Sequence, residues 1–319
     1  MSISEFVSVL VIVAVIGVVY GLEIVFLSVH IKARATKSVC RPLYRWRYFI
    51  IVHVLAIIGI GCFIDGFFIE PSRIEVTRFE IETAKIKSAT LRVVLFSDTH
   101  CETKPGNEKK LVEIVNSLKP DVIVFTGDSL NTPKALGLFK DTLKQLNAPL
   151  GKFAVRGNFD SYFWSELDLF SETGFKELAA ETVEVKKEGD AFCVTGLKVP
   201  FPENFQTLLR DVPGERFSIL LYHHSDLAES LGGLNVDLYL SGHTHGGQVR
   251  LPFYGALVTL SKFGKKYESG MYTVGQTKLY VNRGIGLENR PAPRVRFLCR
   301  PEITVFDIKP INAPQEQKK

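Results

Sequence analysis

The chain has 319 residues, of which 46% are hydrophobic and 23% charged, so it can bury a sizeable core as one large or two ordinary domains. The formal net charge is +5, but residues 1–69 hold six Lys or Arg against three acids, leaving 33 against 31 in the remainder. This near-neutral remainder has no basic surface for nucleic acid, so we expect no nucleic-acid partner. The five scattered cysteines lack C-x-x-C spacing, which argues against a disulfide framework or a zinc knuckle.

Two long apolar segments lie near the N-terminus, at about 6–29 and 48–69. Only Glu23 interrupts the first, and the second contains His53 and Asp65. Each is close to the ~20 residues that a spanning helix needs, so we predict that residues 1–70 are a transmembrane anchor, with buried core helices as the alternative. The first segment lacks a basic n-region and a small-residue cleavage site, which argues against a signal peptide.

The loop between the apolar segments is basic and has no acidic residue. Its charged residues are Lys32, Arg34, Lys37, Arg41, Arg45 and Arg47. The positive-inside rule places such a loop in the cytoplasm, and a two-helix anchor then sends the N-terminus and the large domain to the other face. If the segments instead lie in the interface, the same loop binds anionic headgroups and the domain stays cytoplasmic. We therefore expect localisation to the inner (cytoplasmic) membrane, with the side of the domain left open.

Alternation of apolar and polar residues over 73–81 predicts an exposed strand or a linker within 71–90. From 91 to 309 strands alternate with helices and then dominate, which indicates a single α/β (α+β) domain with layered sheets. The predicted strands are 91–96, 121–125, 152–155, 192–195, 217–221, 236–240, 271–274, 278–281 and 303–308. Apolar residues on one face predict helices over 111–118 and 136–146. A third helix is predicted over 162–170, with Phe175 and Leu178 continuing its apolar pattern. Residues 310–319 are predicted to be a flexible tail.

Possible metal ligands follow five of the predicted strands. The groups are Asp98-Thr99-His100, Gly127-Asp128, Gly157-Asn158-Phe159-Asp160, His223-His224 and Gly242-His243-Thr244-His245. In sheet-based α/β folds, ligands gather beyond the carboxyl ends of the strands, so these groups are expected to converge. Any one of them could be an ordinary turn, since Asp, Asn and Gly favour turns. Five groups in the same structural position favour a shared site.

The mixture of ligands is carboxylate, imidazole and one amide, without thiolate. It suits a divalent ion such as manganese, with iron or zinc as alternatives, and the number of ligands is enough for two ions with a bridging carboxylate. Two such ions activate a water and neutralise the oxygens of a phosphoryl group. The sequence thus predicts a dimetal-dependent enzyme acting on phosphorus esters or anhydrides.

The ordered motifs resemble those of the calcineurin-like metallophosphoesterases, in particular a membrane-anchored bacterial branch, over residues 91–308. The resemblance implies a sandwich of two sheets flanked by helices. It implies that Asp98, His100 and His245 hold one ion, that Asn158, His223 and His243 hold the other, and that Asp128 bridges them. Asp128, Asn158 and His243 are the candidate catalytic residues, and His224, Arg283 and Phe159 are candidate substrate contacts.

Position 159 departs from the family pattern, which has a histidine there to protonate the leaving group. A phenyl ring cannot donate a proton, so substrates with a leaving group of low pKa are expected, unless His224 acts as the acid. With the membrane anchor, this favours a lipid-linked nucleotide as the substrate. It suggests a resemblance to the UDP-2,3-diacylglucosamine diphosphatases of lipid A biosynthesis, which yield UMP and 2,3-diacylglucosamine 1-phosphate. Tyr162, Phe163 and Trp164 could contact the acyl chains or belong to the core.

Two other functions are compatible with the sequence. One is a phosphatase or phosphodiesterase of broader specificity outside the cytoplasmic membrane, which the charge of the basic loop favours. The other is a membrane-tethered scaffold that lost activity together with the histidine at position 159. Because every predicted metal ligand is present, the sequence favours an enzyme over a scaffold.

Overall fold

The structure is a computed structural model that describes residues 2–36, 46–88, 90–288 and 293–311. The middle of the basic loop and most of the predicted flexible tail lie outside these ranges. The α-helices are α1 (Ile3–Thr36), α2 (Trp46–Ile64), α3 (Glu108–Ser117), α4 (Leu136–Lys144), α5 (Asn158–Phe163) and α6 (Phe205–Arg210).

The two N-terminal helices pack against each other as a hairpin. The Tyr20 hydroxyl donates to the Ala56 carbonyl at 3.1 Å, and Glu23 Oε1 lies 2.6 Å from His53 Nδ1. Most other side chains of these helices are apolar and exposed. Residues 3–36 and 48–72 are long and apolar enough to cross a membrane, which suggests membrane association of the chain.

Two six-stranded sheets form the centre of the fold. The strands are β1 (Glu75–Thr83), β2 (Leu91–Phe96), β3 (Val122–Phe125), β4 (Gly151–Ala154), β5 (Phe175–Glu177), β6 (Glu181–Lys187), β7 (Asp190–Leu197), β8 (Phe217–Tyr222), β9 (Leu238–Ser241), β10 (Arg250–Leu251), β11 (Gly255–Ala256), β12 (Gly270–Val274), β13 (Thr277–Val281) and β14 (Glu302–Pro310). The first sheet has the order β1-β14-β2-β3-β4-β5, the second has the order β12-β13-β9-β8-β7-β6, and β10 pairs with β11.

The alternation of side chains along the strands accounts for the layers. In β2, Val93 and Leu95 point between the sheets, whereas Val94 and Phe96 pack with α3 and α4 on the outer face. On the outer face of the second sheet, Tyr222 and Tyr239 pack with Phe205 of α6. The result is the predicted α/β sandwich of two sheets flanked by helices.

The direction of the strands sets the position of the site. Strands β2, β3 and β4 are mutually parallel in one sheet, and β7, β8 and β9 in the other, so the carboxyl ends within each set share one edge. The five predicted ligand groups directly follow β2, β3, β4, β8 and β9.

Strand β6, helix α6 and the β10–β11 pair were not predicted, and two predicted segments need correction or completion. The helix predicted over 162–170 is wrong: α5 covers Asn158–Phe163, and Phe175–Glu177 forms strand β5, which pairs with β4. The aromatic residues of this segment have helical spacing, but they belong to turns and to a strand and pack into the outer-face core. Tertiary contacts therefore override the periodicity. The sequence did not decide whether residues 71–90 form a strand or a linker. They contain strand β1, which pairs in parallel with β14 at the edge of the first sheet.

Candidate metal centre

Most of the predicted ligands lie in left-handed backbone. The φ angles are 49° at Asp98, 40° at His100, 58° at Asp128, 70° at His243 and 50° at His245. Non-glycine residues rarely adopt this region, and each such position costs of order 1–3 kcal/mol unless the surroundings hold it in place. Five residues with this costly backbone conformation surround one cavity. This indicates that the loops position these side chains at the expense of folding stability.

The first ligand group consists of Asp98, His100 and His245, all buried. The Nε2 atoms of the two histidines are 3.1 Å apart, and Asp98 Oδ1 lies 3.4 Å from His245 Nε2. The structure therefore brings together the three residues predicted to hold one ion.

Asp128 lies between this group and the residues of the second predicted ion. Its Oδ2 atom is 3.7 Å from His100 Nε2 and 3.2 Å from His223 Nε2. Its Oδ1 atom accepts the backbone N–H of Phe159 at 2.9 Å, which fixes the carboxylate. This is the position that a bridging carboxylate requires.

The second group is at the more open side of the cavity. The ring centroids of His223 and His243 are 5.2 Å apart, and the His224 ring lies 4.1 Å from that of His243. Asn158 Oδ1, predicted as a ligand here, lies 3.1 Å from His224 Nε2. The structure thus adds His224 to this cluster and joins it to Asn158 by a hydrogen bond.

Hydrogen bonds on the far side of two imidazoles set their orientation. The Nδ1–H of His223 donates to the carbonyl of Thr126 at 2.7 Å, and Nδ1 of His100 lies 3.0 Å from Oδ1 of Asn131. Nε2 of both rings then faces the cavity, as in metal-binding histidines. The Nε2 of His223 has the Asp128 carboxylate 3.2 Å away but makes no well-aligned hydrogen bond with it. A metal ion could bind between these two groups.

The electrostatics of the cavity also fit a cation. Burial lowers the pKa of His100 and of His243 to about 4, so these imidazoles are neutral, the form that binds metal. Burial raises the pKa of Asp98 to about 7. Burial lowers the pKa of His223, but the facing Asp128 carboxylate outweighs it and raises the pKa to about 9. The Asp128–His223 pair therefore shares a proton whose positive charge a divalent ion would replace, and a cation beside Asp98 would favour its ionised form.

Asp160 has a structural role that the sequence analysis did not assign. Its buried carboxylate accepts the backbone N–H groups of Asp128 at 2.8 Å, Ser129 at 2.9 Å and Gly157 at 3.0 Å, and also the hydroxyl of Ser129. It therefore holds the loop of Asp128 against the loop that begins α5. Its place directly after Gly157-Asn158-Phe159 is the signal that could have pointed to this role.

Glycine is required where these loops approach each other most closely. A Cβ at Gly157 would overlap Oδ1 of Asp128, and one at Gly242 would overlap the carboxylate of Asp98. The two glycines therefore let the backbone lie directly against the predicted ligands.

The predicted substrate contacts have different surroundings. The Phe159 ring packs edge-on against His100, with centroids 4.9 Å apart, and is partly exposed at the cavity. The Arg283 guanidinium pairs with Glu75 at 2.7 Å and Glu302 at 2.9 Å, so two carboxylates already bind it. The contact of Arg283 with a phosphate stays a prediction, and these ion pairs do not favour it.

The aromatic residues after Phe159 divide between surface and core. Tyr162 and Phe163 are exposed, whereas Trp164 packs against the outer-face core and donates its indole N–H to Leu130. Of these three, Tyr162 and Phe163 are therefore the ones available to an external ligand.

The comparison with known sequences agrees with this geometry. The domain family described as calcineurin-like phosphoesterase matches residues 91–247. The Bacillus subtilis protein named uncharacterized metallophosphoesterase YkuE is 37% identical over 239 residues, which cover 69% of this chain and 80% of that protein. The chain belongs to the calcineurin-like phosphoesterases. It is thus a metal-dependent phosphoester hydrolase by family, and this family uses a dinuclear metal centre.

Two further relatives of this metallophosphoesterase have more specific names. UDP-2,3-diacylglucosamine pyrophosphatase LpxG of Chlamydia muridarum is 28% identical over 285 residues, covering 68% of this chain and 83% of that protein. Phosphodiesterase YaeI of Escherichia coli is 28% identical over 206 residues, covering 60% of this chain and 71% of that protein. The two names describe different substrates, so the comparisons establish the reaction class and leave the substrate open.

Proposed function

We propose that this metallophosphoesterase hydrolyses the pyrophosphate bond of UDP-2,3-diacylglucosamine and releases UMP and 2,3-diacylglucosamine 1-phosphate. Asp98, His100 and His245 would hold one divalent ion and Asn158, His223 and His243 the second, with Asp128 as a ligand of both. Manganese suits these oxygen and nitrogen ligands, as do iron and zinc. When bound, the ions would supply a nucleophilic hydroxide and neutralise the charge on the phosphoryl oxygens.

The observation that carries this proposal is the phenyl ring of Phe159, which lies against His100 where family members have a histidine. A phenyl ring gives the leaving group no proton, so the departing group must be stable as an anion at neutral pH. A phosphate monoester that leaves from a diphosphate meets this condition, whereas an alkoxide does not. The named LpxG relative and the two apolar helices support a lipid-linked substrate.

Hydrogen bonds near the Phe159 ring fix two of the predicted metal ligands. The backbone N–H of Phe159 fixes the Asp128 carboxylate, and the bond from His224 to Asn158 fixes the amide at the open side of the cavity. His224 is partly exposed there, as is His243, so both imidazoles are accessible to a substrate. The Phe159 ring covers the edge of His100.

The test is a mass-spectrometric assay of the purified full chain with manganese and UDP-2,3-diacylglucosamine. Stoichiometric UMP that disappears in Asp128→Ala supports the proposal. Failure to release UMP while other phosphodiesters are cleaved would reject this substrate but keep the enzyme class. No turnover of any phosphoester by the metal-loaded protein would support the inactive scaffold instead.

A second candidate is a phosphodiesterase that faces away from the cytoplasm. One observation favours it: both ends of the helical hairpin contact the catalytic domain, through Glu5 with Thr259 and through Glu70 with Leu298. Lys32 and Arg34 of α1 and Arg47 of α2 lie toward the opposite end of the hairpin, and the positive-inside rule would place that end in the cytoplasm. A reporter fused after Lys319 distinguishes the two, because a domain outside the cytoplasm would have no access to a cytoplasmic nucleotide-linked lipid.

A further inference from the structure

A short hairpin after the G-H-T-H motif has an unusual tip. Strands β10 and β11 pair, and Phe253 lies in the turn between them with its side chain fully exposed. Its φ angle is 64°, in the left-handed region that a bulky residue rarely adopts. Single exposed apolar residues are ordinary, but neither packing nor backbone preference accounts for a phenylalanine at this position. Such an outlier points to a function outside the core.

The residues around this tip have the composition of a membrane interface. We name residues 250–266 the interface loop. Besides Phe253, its large exposed apolar side chains are Tyr254 and Leu260. Its cations include Lys262, Lys265 and Lys266 at the surface, of which Lys265 pairs with Glu268 and Lys266 with Glu229. The Lys265 ammonium lies 4.2 Å from the centre of the Tyr254 ring. Aromatic rings beside lysines are typical of segments at the level of the lipid headgroups.

The interface loop is attached to the first two turns of α1. The backbone N–H and the hydroxyl of Thr259 both donate to Glu5 Oε1 at 3.0 Å. The Tyr254 hydroxyl lies 2.8 Å from the hydroxyl of Ser8. Ser8 belongs to the apolar part of α1, residues 6–29, which is roughly 36 Å long at ~1.5 Å per residue. This exceeds the ~30 Å hydrocarbon core only slightly, so Tyr254 is expected near the hydrocarbon boundary.

A second part of the domain makes the matching contact with the other anchor helix. The N–H of Leu298, an exposed residue, donates to Glu70 Oε2 at 2.9 Å, and the N–H of Arg296 donates to the Gly66 carbonyl at 3.0 Å. Phe68, between these two anchor residues, is also exposed. The exposed apolar side chains of Leu298 and Phe68 therefore lie where the second anchor helix meets the domain.

The interface loop is also bonded to the metal centre. The Thr244 hydroxyl donates to the carbonyl of Glu268 at 2.7 Å, just beyond the loop, and Arg250 donates to the carbonyl of Gly246 at 3.1 Å. The loop is thus bonded to the backbone segment that carries His243 and His245.

We propose that the interface loop inserts into the surface of the bilayer that α1 and α2 cross. Phe253, Tyr254 and Leu260 enter the boundary between headgroups and acyl chains, and Lys262 contacts anionic headgroups, whereas Lys265 and Lys266 keep their ion pairs with Glu268 and Glu229. Continuity with the anchor through Glu5 and Ser8 favours the bilayer over a protein partner. The insertion holds the His243 side of the metal centre at headgroup level. It does not depend on which phosphorus compound the enzyme cleaves.

The test uses tryptophan as a depth probe in the full-length chain, reconstituted into vesicles of phosphatidylcholine and phosphatidylglycerol. Phe253→Trp is compared with Lys186→Trp, an exposed position of β6. Strand β6 ends beside the amino end of β7, whereas the metal centre is at the carboxyl ends. The spectrum of the unsubstituted chain is subtracted because Trp46 and Trp164 are native. Tyr254→Trp serves as a second probe if Phe253→Trp does not fold.

The expected result is emission at shorter wavelength for Phe253→Trp, and loss of that emission when the lipids are brominated near the headgroup. Lys186→Trp should keep solvent-like emission that iodide quenches. Equal iodide quenching of the two variants would overturn the proposal, because the tip would then lie in water. A shift to shorter wavelength without loss on brominated lipid would also overturn it, because a protein surface, such as a second copy, would then cover the tip.

Discussion

His100 and His245 face each other through their Nε2 atoms at 3.1 Å, and the carboxylate of Asp98 lies beside them. The Nδ1 atom of His100 lies 3.0 Å from Oδ1 of Asn131, whose amide N–H₂ donates to Glu102 and Leu287. The Asn131 oxygen therefore accepts, so the His100 Nε2 offers a lone pair toward His245 Nε2. A cation held by these two nitrogens and Asp98 would take the place of their mutual hydrogen bond.

This relationship predicts which histidine controls metal content. His245→Ala should lower the number of bound divalent ions from about two per chain to about one, because only one site loses a ligand. The measurement is mass spectrometry of metals in the purified chain after equilibration with manganese. His30→Ala, at an exposed position of α1, is the matched control and should keep both ions. An unchanged content in His245→Ala would contradict the assignment of this ligand.

The Phe159 ring predicts how the rate depends on the leaving group. Phe159→His should accelerate hydrolysis of alkyl phosphodiesters, since general acid catalysis contributes about 10²–10⁴-fold. It should change the rate for p-nitrophenyl esters little, because nitrophenolate leaves without a proton. The measurement is kcat/KM over a series of leaving groups. Phe163→His places an imidazole one helical turn away, at an exposed position, and should have no such effect. Equal acceleration of all esters would contradict the claim that the enzyme lacks a general acid at position 159.

Asn158 and His224 allow a test of the second ion. We expect Asn158→Ala to lose this ion, because its amide oxygen is the predicted ligand. His224→Ala should keep the ion and raise KM, since His224 positions Asn158 through the 3.1 Å contact and lies at the open side. Metal content and steady-state kinetics of the two variants check this. Loss of the ion in His224→Ala but not in Asn158→Ala would exchange the two roles.

Asp160 is predicted to stabilise the fold around the site. Asp160→Ala leaves the buried N–H groups of Asp128, Ser129 and Gly157 without their acceptor. Each such loss costs about 1–3 kcal/mol, so the free energy of unfolding should fall by about 3 kcal/mol or more. Denaturant unfolding in detergent measures it. Asp141→Ala, on the surface of α4, is the control and should stay within about 0.5 kcal/mol of the unsubstituted chain.

The strands and the ligand groups at their ends were predictable because both depend on local sequence. The run from Leu91 to Phe96 is strand β2 residue for residue, and Asp98 and His100 follow it as expected. The ordered motifs then identified the reaction class. Strands and the ligands that follow them were therefore predictable, because each depends on one continuous segment of the sequence.

The features that were not predicted depend on partners far apart in the sequence. Arg283 suggested a phosphate contact, but its partners Glu75 and Glu302 come from β1 and β14 and no local pattern links them to it. The aromatic spacing up to Phe175 suggested one helix because nothing in that segment specifies the pairing of β5 with β4. Three-dimensional pairing decides such cases.

The central claim is that two ions, bridged by Asp128, carry out the hydrolysis, and a metal titration tests it most directly. The metal-free full chain is titrated with manganese while hydrolysis of bis-p-nitrophenyl phosphate is followed, beside Asp128→Asn and the surface control Asp168→Asn. The account predicts that activity rises as the second equivalent binds, that Asp128→Asn loses about 10²–10³-fold in kcat, and that Asp168→Asn matches the unsubstituted chain. Full activity without metal, or unchanged kcat in Asp128→Asn, would contradict it.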